Sequence, residues 1–269
     1  MRPMWIPSNI KKCYDSTLSS SEKIKSIKES YIRISAGIPE ISIVIPAYNE
    51  EESIIQTLYS LTNNIISKSI EIIVVNNNST DNTEILVNST GIKCLLETKK
   101  GIASARNAGL AIAKGKIVLN ADADSIYPPD WIEEMSNPFF NNPEVVVVYG
   151  RLAFIPIGKT GRFTYFFYEY FADFFRFLNK YIKDEAVNVY GFNSGYRKEQ
   201  GLLVDGFNHP PQTGTDGDGW IALKLRDQGF GKLFYVTNPK ALVWTSDRRI
   251  QIDGGILKAL IKRITRIFK

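Results

Sequence analysis

The sequence predicts an α/β fold, with a mostly parallel sheet that carries helices on both faces. From about residue 40 onward, short apolar runs alternate with segments of helical spacing, which is typical of strands joined by crossover helices. A polar cluster directly follows three of these runs, in residues 46–50, 76–79 and 120–124. Because ligands of such sheets bind beyond the carboxyl ends of the strands, the clusters predict a binding site at one edge of the sheet.

The hydrophobic pattern places each element in turn. Five apolar runs are predicted strands, at residues 41–45, 70–75, 92–96, 116–119 and 145–149. Helices are predicted at residues 50–61, from residue 81, and at residues 101–113, 162–181 and 220–228. Gly229 would close the last helix, and the Gly- and Asp-rich residues 214–219 before it predict a loop.

Residues 1–38 precede this alternation and are predicted to form an N-terminal extension that is partly helical. Within it, Ile24, Ile27 and Tyr31 recur on one face of a predicted helix, and the serines at 19–21 are candidate caps. The 269 residues are enough for one large core with such appendages.

Residues 162–181 are the most aromatic part of the chain. Such a segment either packs on the sheet as a buried helix or presents its rings to lipid, and we expect the buried helix. Ten of its aromatic residues are Phe163, Tyr165, Phe166, Phe167, Tyr168, Tyr170, Phe171, Phe174, Phe175 and Phe177.

Composition describes an ordinary globular protein, with 44% hydrophobic and 23% charged residues. The apolar runs are too short or too interrupted by charge to span a bilayer, and no secretory signal is evident at the N-terminus. Cys13 and Cys94 show no metal or redox spacing, so we expect reduced thiols in a cytoplasmic protein.

The net charge of +5 lies entirely in residues 254–269. This tail has no acidic residue, and its basic residues are Lys258, Lys262, Arg263, Arg266 and Lys269. On a helical wheel of residues 256–268 the apolar and basic residues fall on opposite sides, which suits a helix lying on an anionic membrane. A helix docked on the protein body with its basic face in water is the alternative. Outside the tail there is no basic excess, so we expect no nucleic-acid binding.

Asp122 and Asp124 follow the predicted strand 116–119 at positions i and i+2, so on extended backbone both carboxylates point to one side. At ~5 Å they would repel by roughly 3 kcal/mol at an effective dielectric constant near 20. A hard cation removes that penalty, and carboxylate oxygens suit Mg²⁺ or Mn²⁺. The alternative is a polar turn before Pro128 and Pro129.

An ordered set of motifs resembles the family 2 glycosyltransferases of the GT-A fold. The segments are ISIVIPAYNEE (41–51), EIIVVNNNSTDNT (71–83), KGIASARNAGL (100–110), VLNADADSIYPPDWIEEM (118–135), GFNSGYRKE (191–199) and GDGWIALKLRDQGF (217–230). The resemblance implies a GT-A, Rossmann-like domain over residues 39–245, with a nucleotide-sugar-binding half (39–125) and an acceptor-binding half (126–245). Residues 246–269 would then be a basic amphipathic C-terminal helix.

The resemblance also implies donor-binding residues, which are Pro46, Ala47, Tyr48, Glu50, Asn76, Asn77, Lys100, Arg106, Asn120, Ala121 and Asp122. Pro46 would end the first strand, and the Tyr48 ring would stack on a nucleobase. Glu50 would bind ribose or cap a helix. Arg106 would reach the diphosphate or pair with an Asp near the metal.

Asn76 and Asn77 stand where the family usually has acids. An amide oxygen could replace a carboxylate that accepts from a base N–H, or these residues could only form Asx turns.

The predicted metal ligands are Asp122 and Asp124. Asp218 is the favoured catalytic base, with Asp216 as its competitor, and either residue could instead cap a helix. Asn193, Ser194 and Asp205 are the predicted acceptor-binding residues.

The predicted function is therefore an inverting, metal-dependent transfer of sugar from a UDP- or GDP-linked donor to a hydroxyl of a glycan or a polyprenyl-linked acceptor. A peripheral position on the inner face of the membrane, through residues 254–269, would fit a lipid-linked acceptor. A non-catalytic carbohydrate- or membrane-binding protein of the same fold is the alternative. A nucleotidyltransferase would need a Gly-rich phosphate loop with a basic residue at 46–50, and a dehydrogenase needs G-x-G-x-x-G after the first strand; neither is present.

Overall fold

The computed structural model describes residues 1–15, 18–209 and 217–267. Its strands are β1 (Ile41–Ala47), β2 (Ile70–Asn76), β3 (Lys93–Leu96), β4 (Ile117–Asn120), β5 (Ser125–Ile126), β6 (Val145–Tyr149), β7 (Leu152–Ile155), β8 (Ser194–Arg197), β9 (Lys232–Tyr235) and β10 (Val243–Ser246). Its helices are α1 (Ser8–Tyr14), α2 (Ser20–Ile34), α3 (Ile54–Thr62), α4 (Thr83–Ser89), α5 (Ile102–Ile112), α6 (Trp131–Asn141), α7 (Arg162–Ile182), α8 (Lys198–Leu203), α9 (Gly217–Asp227), α10 (Arg248–Ile252) and α11 (Ile256–Ile267).

Seven strands form the central sheet, in the order β3-β2-β1-β4-β8-β6-β9. The first four are mutually parallel, β8 runs antiparallel to both of its neighbours, and β6 and β9 are parallel. A smaller sheet has the order β5-β10-β7. The predicted α/β fold and its five strands are confirmed, with strand ends within two residues of those predicted.

Alternation along the strands puts a hydrophobic layer on each face of the sheet. In β1, Ile43 and Ile45 pack in the cluster that also contains apolar residues of α2, α3 and α6. Val44, between them, packs in the opposite cluster with residues of α5 and α9. This two-faced burial holds the carboxyl ends of β1, β2 and β4 at one edge.

Two predicted local features differ from the structure. β1 continues through Pro46 to Ala47. The pairing of β1 with β4 ends at Val44, so no ladder hydrogen bond to β4 requires the N–H that Pro46 lacks. Residues 217–219, predicted as loop, form the first turn of α9, and residues 214–216 lie outside the described residues.

The N-terminal residues are packed into the domain. Ser19 closes a capping box with Glu22 and so begins α2, as the sequence predicted. Ile27 is fully buried and Ile34 nearly so, in the same cluster as the strands β1 and β2. The hydrophobic face of α2 is thus part of the main core.

The prediction that the aromatic segment is a buried helix is wrong for most of its rings. α7 forms, but the aromatic residues that it buries are Tyr165, Tyr168 and Phe175, whereas six of the ten named above are exposed. The inner face is occupied by Arg162, Glu169 and Arg176, so charged side chains take the place expected for rings.

The C-terminal segment is helical as predicted but is divided into α10 and α11 by Gly254 and Gly255, which have φ values of 94° and 90°. Within the described ranges, every helix is too short or too polar to cross a bilayer.

Replacement of Ile27 by Ala tests whether α2 belongs to the main core. We expect a loss of about 2–5 kcal/mol in the free energy of unfolding, within a single cooperative transition, because a fully buried side chain leaves a cavity. Ile32→Ala on the same helix, at a residue 73% exposed, should change stability by under about 0.5 kcal/mol. Equal stability of the two variants in urea would contradict this packing.

Candidate active site

The centre of the site is the guanidinium of Arg106, which α5 places beneath the carboxyl ends of the central strands. Only 3% of its side chain is exposed. One nitrogen, Nη2, lies 3.3 Å from Oδ1 of Asp122, and Nη1 donates to Oδ1 of Asp218. Burial opposes charge on Arg106, but Asp218 and Asp122 hold its pKa above the ordinary value. Of the two roles predicted for Arg106, the structure shows the pairing with an Asp of the Asp-x-Asp segment.

Two further residues define the space around this guanidinium. The ring centroid of Phe207 lies 5.5 Å from Cζ of Arg106, which covers one face of the group. Gly191 approaches so closely that a Cβ there would overlap the guanidinium. The backbone N–H of Gly191 donates to Oδ2 of Asp218 at 2.8 Å. Asp218, in the first turn of α9, is thereby held from two sides.

Asp122 is positioned through its backbone as well as its side chain. Its N–H donates to the hydroxyl of Tyr127 at 2.8 Å, and that hydroxyl donates to the carbonyl of Phe192 at 3.1 Å. Burial raises the pKa of Asp122 to about 6, with further upward contributions from Asp124 and Asp218 and an opposing one from Arg106. Sequence reasoning missed Tyr127, which lies between Ile126 and Pro128, three residues after Asp124.

Asp124 and Glu50 face an arginine that sequence reasoning also missed. Nη2 of Arg248 lies 3.2 Å from Oδ2 of Asp124 and 3.6 Å from Oε1 of Glu50. Glu50 also accepts from the hydroxyl of Ser53 at 2.7 Å, and burial raises its pKa. The signal was the polar run 245–249, which follows the apolar residues 241–244 as the other polar clusters follow their strands.

Asn77 is committed to the fold of its own loop. Its amide donates to the carbonyls of Glu97 and Lys99 at 2.9 and 2.8 Å, and its oxygen accepts from the N–H of Gly101 at 2.8 Å. Both donor hydrogens are thus occupied. Asn77 ties the loop after β3 to the start of α5, the structural role that the sequence had left open.

Asn76 makes a similar local arrangement. Its amide donates to Glu84 at 2.9 Å, and its oxygen accepts from the N–H of Ser79, three residues on, at 3.0 Å.

Four other residues predicted to bind donor or acceptor are buried beneath the site. Asn193 is fully buried, donates to the carbonyls of Arg151 and Ala241, and accepts from the indole of Trp131. The structure therefore does not bring its side chain to the surface where an acceptor would bind. The remaining three, Asn120, Ser194 and Ala121, are each at most 2% exposed, and the first two are hydrogen-bonded to each other.

The other predicted residues lie at or near the mouth. Tyr48 follows β1 with 55% of its surface exposed, beside the partly buried Pro46, while Ala47 is buried. Lys100 is exposed just before α5. Asp205 lies on an exposed turn with φ of 60° and accepts from Asn208. Asp216 lies outside the described residues.

The cluster as a whole carries excess negative charge. Its four carboxylates exceed its three guanidiniums by one; the members are Glu50, Asp122, Asp124, Asp218, Arg106, Arg248 and Arg249, whose charge also acts on Asp122. Such a group at strand ends can bind a cation, hold phosphate through the arginines and accept a proton.

Solved structures share this fold. The glucosyl-3-phosphoglycerate synthase of Mycobacterium tuberculosis, in a crystal with Mn²⁺, uridine diphosphate and phosphoglyceric acid, superposes with a TM-score of 0.56 at 21% identity. The match covers 91% of this chain and 82% of that one.

Two sequence relatives have glycosyltransferase names. The Bacillus subtilis (strain 168) protein "Probable glycosyltransferase YdaM" is 35% identical over 133 residues, which are 46% of this chain and 32% of YdaM. The glucosyl-dolichyl phosphate glucuronosyltransferase of Haloferax volcanii is 26% identical over 189 residues, 66% of this chain and 58% of that one. The chain thus spans about a third of the length of YdaM.

The family itself is shown by a direct match. Residues 42–200, more than half of the 269, match the domain described as glycosyl transferase family 2. This range begins in β1 and ends in α8, so it contains Arg106 and the Asp-x-Asp segment. The chain therefore belongs to glycosyl transferase family 2 and has the GT-A fold.

Proposed function

We propose that this protein is an inverting glycosyltransferase that moves a sugar from a nucleoside diphosphate to an acceptor hydroxyl and requires a divalent cation. The observation that carries the proposal is the pair of contacts made by Arg106. One guanidinium holds Asp122, of the donor-binding half, beside Asp218, of the acceptor-binding half. A single displacement needs the donor and the acceptor hydroxyl to meet at the anomeric carbon. The leaving group and the residue that takes the proton lie on opposite sides of that carbon.

Asp122 and Asp124 are the residues that would hold Mg²⁺ or Mn²⁺. Two carboxylates fit these ions, which often bind through one or two protein carboxylates and complete their shell with phosphate and water. The negative excess of the cluster, and the guanidinium of Arg248 against Asp124, indicate a place suited to a cation. When bound, the cation would neutralise charge on the departing nucleoside diphosphate.

Arg248 would exchange partners when the donor enters. Its guanidinium is 46% exposed and contacts Asp124 and Glu50, so it can turn toward solvent without breaking core packing. A diphosphate offers bidentate acceptors that match the guanidinium. We assign Arg248 to the donor phosphates, together with the exposed Lys100.

Asp218 would remove the acceptor proton. The acceptor oxygen bonds to the anomeric carbon as the bond to the diphosphate breaks, and the hydroxyl proton passes to the carboxylate. Arg106 and the N–H of Gly191 each occupy one of its oxygens. Since each carboxylate oxygen has about two acceptor positions, room remains for the hydroxyl.

Tyr48 is the proposed platform for the nucleobase, because its ring is exposed beside the strand ends. Asn76 and Asn77 shape the neighbouring loop, so base selection would depend on backbone groups there. Both UDP- and GDP-linked donors remain in the proposal.

The acceptor hydroxyl would belong to a glycan or a polyprenyl-linked sugar. The Haloferax volcanii relative is named for a dolichyl phosphate acceptor, which supports the lipid-linked form. Contact of residues 254–269 with the inner face of the membrane fits this acceptor, and the free thiols Cys13 and Cys94 fit a cytoplasmic location.

Asp124→Asn tests the proposed cation site. We expect donor hydrolysis and transfer to fall at least about 100-fold, since the cation stabilises the leaving group by several kcal/mol. Asp227→Asn, at a side chain 57% exposed, is the matched control and should keep full activity. Activity is measured with the UDP- or GDP-sugar that stabilises the wild type most in a thermal shift panel with Mn²⁺. Unchanged turnover in Asp124→Asn would refute the cation role.

Gly191→Ala tests the contact between Arg106 and Asp218. The new methyl group overlaps the guanidinium, so we expect transfer to fall at least about 10-fold and stability by about 1–3 kcal/mol. Gly161→Ala, where a Cβ meets nothing within 4 Å, should leave transfer unchanged. The same turnover in both variants would contradict the proposed geometry.

The pH dependence of the metal-free protein tests the burial of Asp122. Its pKa of about 6 exceeds the model-peptide value of about 4, so the neutral form is favoured on folding. Its contribution to stability is full below about pH 4 and is lost as the pH rises through about 6. Relative to Asp122→Asn in EDTA, the wild type should lose up to about 3 kcal/mol of unfolding free energy between pH 4 and 7. Parallel pH profiles of the two proteins would contradict the raised pKa.

A further inference from the structure

The outer face of α7 carries an uninterrupted row of aromatic rings. At 100° per residue they fall within an arc of about 120°, and at 1.5 Å per residue the row is about 27 Å long. Each is between 38% and 70% exposed. We call this row the aromatic stripe; its members are Phe163, Phe167, Tyr170, Phe171, Phe174, Phe177 and Tyr181.

The inner face of the same helix contains buried charged side chains beside its few buried rings. Arg162 pairs with Glu169 at 2.7 Å, and both are buried. Arg2 reaches the same face and pairs with Asp173 at 2.7 Å. A helix that faces water normally turns its charged residues outward, so α7 has the reverse arrangement.

The ion pairs made by Arg2 fix the rotation of α7. Turning the helix to bury the rings would separate Glu169 and Asp173 from Arg2, and breaking a buried pair is strongly destabilising. Exposure of the aromatic stripe is therefore imposed by the fold. Exposed apolar patches of this extent mark interaction sites.

α11 lies beside α7 and extends the apolar surface. Ile256, Ala259 and Leu260 pack against the cluster formed by Tyr165 and Tyr168 of α7. On the same helix Leu257 and Ile261 are 72% and 60% exposed. The next residue after Leu257, Lys258, is exposed too, and the tail from 254 to 269 contains five basic residues and no acid.

We propose that the aromatic stripe and α11 together form a docking surface for an anionic lipid bilayer. Aromatic rings partition to the membrane–water interface, and exposed aliphatic side chains enter the acyl boundary. The five basic residues in the sequence of 254–269 add electrostatic attraction to anionic headgroups. The positive charge of the tail favours an anionic bilayer over a second copy of the chain. A two-fold dimer through this surface would place two identical cationic tails against each other.

The docking surface is connected to the proposed base. After α7 the chain forms a short 3-10 turn at residues 185–188, where Asn188 donates to the carbonyl of Arg176 at 2.9 Å. Three residues later, Gly191 donates to Asp218. A lipid-linked acceptor would thus be received next to the membrane; this consequence rests on the proposed function, whereas the docking itself does not.

The test is sedimentation of the purified full chain with phosphatidylcholine vesicles that contain 0 or roughly 30% phosphatidylglycerol. We expect binding to the anionic vesicles, weakened by 0.5 M salt. The variant Phe167→Ser/Phe171→Ser/Phe174→Ser should bind at least about 10-fold more weakly. Ile32→Ser/Ile65→Ser/Ile85→Ser removes aliphatic residues elsewhere that are more exposed than these rings, and should bind as the wild type does.

Thermal unfolding of each variant shows that its fold is retained. Absence of wild-type binding to anionic vesicles, or equal binding by both triple variants, would overturn the proposal. A wild-type dimer in sedimentation velocity that the aromatic variant abolishes, without vesicle binding, would assign the stripe to a second copy. If the wild type binds anionic vesicles but transfers no sugar, the result would count against the proposed function alone.

Discussion

The site depends on one buried interaction, the guanidinium of Arg106 between Asp122 and Asp218. Asp122 follows the carboxyl end of β4, and Asp218 lies in α9, 96 residues later in the chain. Without a cation between them, two buried carboxylates would repel each other. The close approach of Gly191 and the ring of Phe207 leave the guanidinium little freedom, so its position determines the position of both acids.

The same constraint joins the chemistry to the outer surface. Gly191 lies nine residues beyond Ile182, the last residue of α7, and the turn between them is packed on that helix. α7 in turn is held by the ion pairs of Arg2 with Glu169 and Asp173, which keep the exposed rings of the helix outward. Polar contacts thus determine both the acid geometry and the exposed aromatic surface, while the sheet supplies the apolar core on which both rest.

Sequence reasoning reached the parts of the structure that local pattern determines. Runs of Ile and Val such as 41–45 and 145–149 are short and rich in β-branched residues, which favours buried strands, and both form strands. The rule that ligands bind at strand ends led to Asp122 and Asp124, and the family motifs led to Arg106 and Asp218; all four lie in the cluster. The rest required knowledge of partners distant in sequence. Nothing local shows that Asn193 accepts from Trp131, that Arg248 reaches Asp124, or that Arg2 draws the charged face of α7 inward.

The most direct test of the central claim is the turnover of Arg106→Lys, compared with its Mn²⁺-dependent affinity for the nucleoside diphosphate by calorimetry. Lysine keeps the charge but loses the planar fork that contacts two carboxylates at once. We expect turnover to fall about 100-fold while nucleotide affinity changes by less than about 10-fold, since Asp122 and Asp124 remain. Turnover within threefold of the wild type would show that the arginine does not set the position of the base.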